Sequence, residues 1–294
     1  MAAYDPSRRY EVKTQDVEYL RHADQPYLAR VYQPDGDGPF PMLVYVHGGA
    51  WNLADRTADA LINERMAATG LVIVALDFRL APAHPYPAQI ADVNFGTRWM
   101  KAHAADFKGD ASRVGGIGSS SGGHTLLLSA MRPTDVRYAE IPLPAAPRMD
   151  ARIDYVVALW SVLDPYARYE FARTTPAAGL GYGGAEEKLR QTMGYFLSEA
   201  ALHEGNPQEI LERGEPVELP SILIIQGTED MNIPLNLPQR FAPTYRAAGG
   251  TIAVAWFPGM PHGFGGTAGP ETDRAIEQMK AFVAREVAVV PTAV

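Results

Sequence analysis

The chain contains no cysteine. A disulfide, a thiolate nucleophile and a thiolate-held zinc are therefore excluded. It has no run of 18 uninterrupted apolar residues, so no membrane span is expected. Positive charge does not dominate either: 26 Lys and Arg stand against 34 Asp and Glu, a formal net charge of −8. That balance argues against nucleic acid and anionic membrane as partners. Residues 1–10 hold Asp5, Arg8 and Arg9 and no apolar segment, so no signal peptide is read and a cytoplasmic location is expected. What remains is an ordinary globular balance, 294 residues with 47% hydrophobic and 20% charged, ample for a core.

Residues 17–22 and 27–33 alternate around Ala23-Asp24-Gln25-Pro26 and read as an opening hairpin. Residues 42–47 and 71–76 are short continuous apolar runs, the pattern of central strands buried on both faces of a parallel sheet. Residues 57–69 have helical spacing and end at Gly70; residues 87–105 read as a second helix. Further strands are expected at 114–118, 154–160, 221–226 and 251–257, and further helices at 121–131, 236–248 and 271–286. This alternation predicts one α/β domain over 1–294, a mostly parallel sheet with helices on both faces. Two segments fall outside the alternation. Residues 132–152 carry four prolines, and residues 165–220 hold a Gly-rich run followed by a weakly helical polar stretch. Both are candidate lid or substrate-wall insertions, because ligands of open α/β sheets sit outside the carboxyl ends of the strands.

Gly118-Ser119-Ser120-Ser121-Gly122 sits between an expected strand and an expected helix. That is the setting of a nucleophile elbow. Only Ser120 has glycine both two before and two after it, so spacing selects it as nucleophile. Small residues there let the backbone turn sharply and hold strain. An elbow serine needs a base and an orienting acid, in the order serine, acid, histidine. Of seven histidines only His262, in Gly259-Met260-Pro261-His262-Gly263-Phe264, follows both serine and acid. His47 and His84 lie in tight turns and read as structural. The acid is Asp230, just past the strand at 221–226, with Glu229 and Asp164 as rivals. His47-Gly48-Gly49-Ala50-Trp51 follows a strand and offers the amides of Gly49 and Ala50, with that of Ser121, as an oxyanion hole.

These motifs, with Asp77-Phe78-Arg79-Leu80-Ala81-Pro82 and Pro261-His262-Gly263-Phe264, resemble the hormone-sensitive-lipase-like carboxylesterases of the α/β-hydrolase fold. The resemblance implies the triad Ser120, Asp230 and His262, the oxyanion donors Gly49, Ala50 and Ser121, and a structural role for residues 77–82. The chain departs from the pattern at Ser119 and Ser121, where Asp and Ala are usual, and at Ala50, where a third glycine is usual. The helical N-terminal cap of that family is not read ahead of the strand near Val17. The acid segment, Gly227-Thr228-Glu229-Asp230-Met231-Asn232-Ile233-Pro234, is more similar to bacterial feruloyl and acetylxylan esterases and dienelactone hydrolases.

The expected activity is hydrolysis of short- to medium-chain acyl esters of small molecules, with no metal or cofactor. Activity should fall in acid, because imidazolium cannot act as a base. The rival readings are a carbohydrate esterase, with Tyr166, Tyr169, Tyr182 and Tyr195 as stacking surfaces, and an arylformamidase, which shares H-G-G-x-W. A different class is a non-catalytic hydrolase-fold receptor. By analogy with the fold, the last helix and the sheet edge are surfaces for a homodimer.

Overall fold

The apolar runs form the interior of an eight-stranded sheet in this computed structural model, which describes residues 4–175 and 184–288. Strands β1 (Val12–His22) and β2 (Gln25–Pro34) make the antiparallel opening hairpin, longer than its alternation alone indicates. The parallel strands are β3 (Phe40–Val46), β4 (Val72–Leu76), β5 (Gly109–Ser119), β6 (Tyr155–Leu159), β7 (Ser221–Gly227) and β8 (Ile252–Phe257). Their order in the sheet is β1-β2-β4-β3-β5-β6-β7-β8, and β2 alone runs against the others, antiparallel to both β1 and β4.

Side chains of a strand alternate between faces, so a run apolar at every position must feed two cores. It does so here. Met42, Val44 and Val46 of β3 enter one core, and Leu43 and Tyr45 enter the other. The first core is covered by α2 (Ala88–Ala102), α3 (Ser121–Met131) and α8 (Asn236–Ala247). The second is covered by α1 (Ala60–Ala67) and α9 (Pro270–Ala288). Among the described residues no helix is long and apolar enough to cross a membrane.

Three boundaries differ from their sequence reading for local reasons. Helix α1 starts only at Ala60 because Asp59 is left-handed, at φ 52. Helix α2 ends at Ala102, and residues 104–107 tighten into a 3₁₀ turn. Strand β5 begins five residues early, at Gly109, because the polar stretch Gly109-Asp110-Ala111-Ser112-Arg113 shows no apolar run.

The weakly helical reading of 165–220 understates it. Among the described residues it folds as α4 (Pro165–Thr174), α5 (Gly184–Phe196), α6 (Glu199–Glu204) and α7 (Pro207–Glu212). Asp164, Ser198 and Asn206 cap three of these, and Pro165 and Pro207 sit in their first turns. Proline at a first turn starts a helix rather than breaking one. Within the Gly-rich run, residues 179–183, including Tyr182, lie outside the described residues.

Residues 132–152 form turns without helix or strand. They lie along α2, where Asn94 Nδ2 donates to Pro133 O at 2.9 Å and Arg98 Nη2 to Ile141 O at 2.8 Å.

Candidate active site

Parallel strands deliver their carboxyl ends to one edge of the sheet. The turn after β3, Ser120 after β5, Asp230 after β7 and His262 after β8 therefore meet there, although 142 residues separate Ser120 from His262. The strand order reverses between β3 and β5, the crevice where open α/β sheets take ligands.

Ser120 carries the elbow's strain itself, at φ 51 and ψ −120. Its N–H donates to Leu159 O at 2.9 Å and its carbonyl accepts from Val162 N at 3.0 Å, so the end of β6 holds the turn. The neighbouring glycine serves close approach rather than strain. A Cβ on Gly122 would stand 2.1 Å from His47 O, so α3 touches the chain leaving β3 only because position 122 is bare.

The structure brings the three residues of the expected triad together. Ser120 Oγ lies 3.0 Å from His262 Nε2, and His262 Nδ1 lies 2.8 Å from Asp230 Oδ2. Asp230 is buried, and its other oxygen accepts the N–H groups of Asn232 and Ile233, both at 2.8 Å. Gln226 Nε2 adds a bond to Oδ2 at 2.9 Å. A carboxylate so placed accepts a hydrogen bond from Nδ1–H, which leaves the Nε2 lone pair facing the serine hydroxyl. The rival acids lie elsewhere. Glu229 is exposed. Asp164 accepts from Ala167 N and Asn206 Nδ2.

The turn after β3 holds three consecutive positive φ values: Gly49 at 105, Ala50 at 50 and Trp51 at 64. Only glycine fits at 49, where a Cβ would meet Leu53 O at 2.2 Å. Non-glycine residues in this region cost about 1–3 kcal/mol each and persist only where the surroundings over-determine them. Here they do. Gly48 N–H donates to Ser119 Oγ at 3.0 Å and Trp51 N–H to Ser121 Oγ at 3.1 Å. With both flanking amides held, those of Gly49 and Ala50 are the ones the turn leaves for a ligand.

Both serines flanking Ser120 thus have structural work for their hydroxyls, which their sequence reading did not reveal. Ser119 also donates to Asp59 Oδ2 at 2.9 Å, and Tyr45 OH donates to the same carboxylate. Burial beside Asp59 holds the Tyr45 phenol far above its ordinary range, so it stays a donor. No sequence signal marks Asp59 or Tyr45, since they meet Ser119 only across the fold.

Trp51 is buried beneath the insertion. It stacks on Tyr195 at 5.0 Å, and its Nε1 donates to His124 Nδ1 at 3.2 Å. His124 Nε2 in turn donates to Gly205 O at 2.8 Å. Complete burial lowers His124 to about 4, so it is neutral in this bridge. His47 is buried too, stacks on Phe78 and is pushed down by the same desolvation. Asp77 accepts from Arg56 N and Arg56 Nη1, which fixes the loop after the turn.

A cavity of about 530 Å³ opens at Ser120 and His262. Its wall includes Gly48, Gly49 and Ala50 on one side and Arg168, Lys188 and Gln191 of the insertion. Residues 132–152 contribute nothing to this lining, so of the two expected wall segments only the second reaches it. Tyr195 and Tyr166 do not line it either. Tyr195 is buried against Trp51 and Tyr166 packs on His203. Among the described residues no cluster of three His, Asp or Glu side chains is placed to hold a metal ion.

Fold and motifs together define an α/β-hydrolase of the hormone-sensitive-lipase-like type. The chain belongs to the BD-FAE family, whose profile matches residues 30–244. It is 30% identical over 230 residues to Esterase LipC of Mycobacterium tuberculosis, covering 77% of this chain and 53% of that protein. It is 27% identical to Carboxylic ester hydrolase LipN of the same organism, covering 87% and 67%. The chain thus spans between half and two thirds of the length of these relatives. Among solved structures, EstE1, a thermophilic carboxylesterase cloned from a metagenomic library, superposes with a TM-score of 0.77 at 19% identity, covering 96% of this chain and 92% of that one. Esterase B from Lactobacillus rhamnosis gives 0.74 at 21%, covering 97% and 88%.

Proposed function

We propose that this chain is a serine hydrolase of short- to medium-chain carboxylic esters. The observation that carries the reading is the pair of hydrogen bonds that link Ser120 to His262 and His262 to Asp230. Ser120 Oγ attacks the ester carbonyl as His262 Nε2 takes its proton. Asp230 holds the imidazole and stabilises the imidazolium that forms. The carbonyl oxygen, now an alkoxide, receives the amides of Gly49, Ala50 and Ser121, donors worth roughly 10²–10³ in rate each. His262 then returns the proton to the leaving alcohol. Water, deprotonated by the same nitrogen, attacks the acyl-enzyme and releases the acid and Ser120. The insertion from 165 to 220 serves as the substrate wall. The names of the relatives, esterases and a carboxylic ester hydrolase, support the same chemistry.

A fluorophosphonate should label the protein at Ser120, and Ser120→Ala should lower 4-nitrophenyl acetate turnover by ~10⁴-fold or more. Turnover unchanged in that variant would remove Ser120 from the mechanism. A folded protein that neither labels nor turns over any ester would be a binding protein on this fold.

A further inference from the structure

The carboxylate that faces His262 is held through a peptide. Asp230 Oδ1 accepts the N–H groups of Asn232 and Ile233, both at 2.8 Å. The Ile233 N–H belongs to the same peptide unit as the carbonyl of Asn232. A peptide unit is planar and trans, so fixing its oxygen fixes the direction of its N–H. Asn232 O accepts from Arg168 Nε at 3.2 Å, and Asn232 Oδ1 accepts from Nη2 of the same guanidinium at 2.7 Å. Arg168 thus grips both the backbone and the side chain of Asn232. One peptide plane lies between its guanidinium and Asp230.

Arg168 stands in the first turn of α4, in the insertion, 64 residues before Asn232. Asp164 caps that turn, accepting from Ala167 N at 3.0 Å, so the backbone that carries Arg168 is set. Arg168 is buried, and its guanidinium carbon lies 6.0 Å from the centre of the Trp51 ring. Burial lowers it to about 10 while Asp230 attracts it, so it is charged at neutral pH. A charged donor polarises the peptide it holds and strengthens the hydrogen bond donated at the other end. Lysine in its place would keep the charge and lose the fork that meets two acceptors at once. The side chain also forms part of the wall of the Ser120 cavity, so contact with substrate is the competing role.

Resting on the reading of Ser120, His262 and Asp230 as the triad, we propose that Arg168 is a positioning residue for ester hydrolysis. It holds the Asn232–Ile233 peptide in the orientation that aims Asp230 at His262. Helix α4 therefore sets the geometry of the acid at the sheet edge as well as walling the cavity.

The experiment measures kcat and KM for 4-nitrophenyl acetate in Arg168→Met and Arg168→Lys, each made in the native chain and in Asp230→Asn. In the native chain both should lower kcat by roughly 10–10²-fold, the cost of a slightly misplaced group, and leave KM in place. In Asp230→Asn neither should cost anything further, because the group that Arg168 positions no longer orients the imidazole. The turnover that remains there depends on the oxyanion hole and on binding. Damage to the turn at Trp51, or to the fold at large, would therefore still show. An equal loss in both backgrounds would overturn the proposal. So would a rise in KM at unchanged kcat, which would make Arg168 a substrate contact, and so would an undiminished kcat in Arg168→Lys. Should Arg168→Met fail to fold, Arg168→Lys carries the comparison alone, since it keeps a cation at the same place. Undiminished turnover in Asp230→Asn would remove the triad reading and this proposal together. A native protein that neither labels with a fluorophosphonate nor hydrolyses any ester would do the same.

Discussion

Ser120, His262 and Asp230 are separated in sequence by loops and helices, yet each could be named from its neighbours alone. The reason is local: an elbow, a loop after a strand and an acid after a strand each leave a short signature. The orientation of those groups is not local. Asp230 is aimed by Gln226 and by the amides of Asn232 and Ile233. Asp230→Asn should therefore keep the fold but lose about 10⁴ in kcat. Its amide oxygen would take the two backbone N–H groups, leaving NH₂ toward His262 and forcing the wrong tautomer. Stopped assays of kcat beside an unchanged thermal midpoint would check this. Ser119 makes a second case. The motif that this elbow resembles has aspartate there, but here a carboxylate, Asp59, already lies 2.9 Å from Ser119 Oγ. Ser119→Asp should be destabilising by about 1–3 kcal/mol, because a buried carboxylate would meet the like charge of partly buried Asp59. Adding Asp59→Asn should recover most of that loss, measured as a double-mutant cycle in urea.

The elements of the sheet followed from continuous apolar runs, because a strand buried on both faces has no polar side to show. The insertion was harder to read. Its helices are short, and α4 carries its few buried residues on one narrow face. Such helices persist by packing on a neighbour rather than by their own periodicity. That neighbour is Trp51 of the turn after β3, stacked on Tyr195 and bonded to His124. Insertion and turn should therefore respond together. Trp51→Phe removes the Nε1 bond and should cost about 1 kcal/mol of stability. Trp51→Ala also empties the stack and should cost about 3–5 kcal/mol. If the turn is held from above in this way, kcat should fall more than KM rises in the alanine variant. A pure rise in KM would place Trp51 in substrate binding instead.

At the scale of the whole molecule, acid stability is set by histidines sealed between elements. His124 titrates near 6.5 in the unfolded chain but near 4 when folded, because burial disfavours its charged form. The unfolded state then binds the extra proton between those values. Stability is full above about pH 6.5 and falls toward pH 4, at about 1.4 kcal/mol per unit for one such group. His47, lowered by the same cause, adds to the slope. Urea midpoints across this range should show the decline, and His124→Gln should flatten it while lowering stability throughout. An equal slope in that variant would assign the decline to other groups.

By itself the sequence determined the α/β alternation, the net negative charge and the candidates Ser120, Asp230 and His262 in their chain order. Each rests on residues adjacent in the chain. Only the tertiary structure decided that Asp59 and Tyr45 stand behind Ser119, that Trp51 ties the turn after β3 to the insertion, and that Arg168 and Lys188 share a wall with Ser120. These groups lie far apart along the chain, and no local pattern marks a contact that exists only once the sheet has gathered its strand ends at one edge.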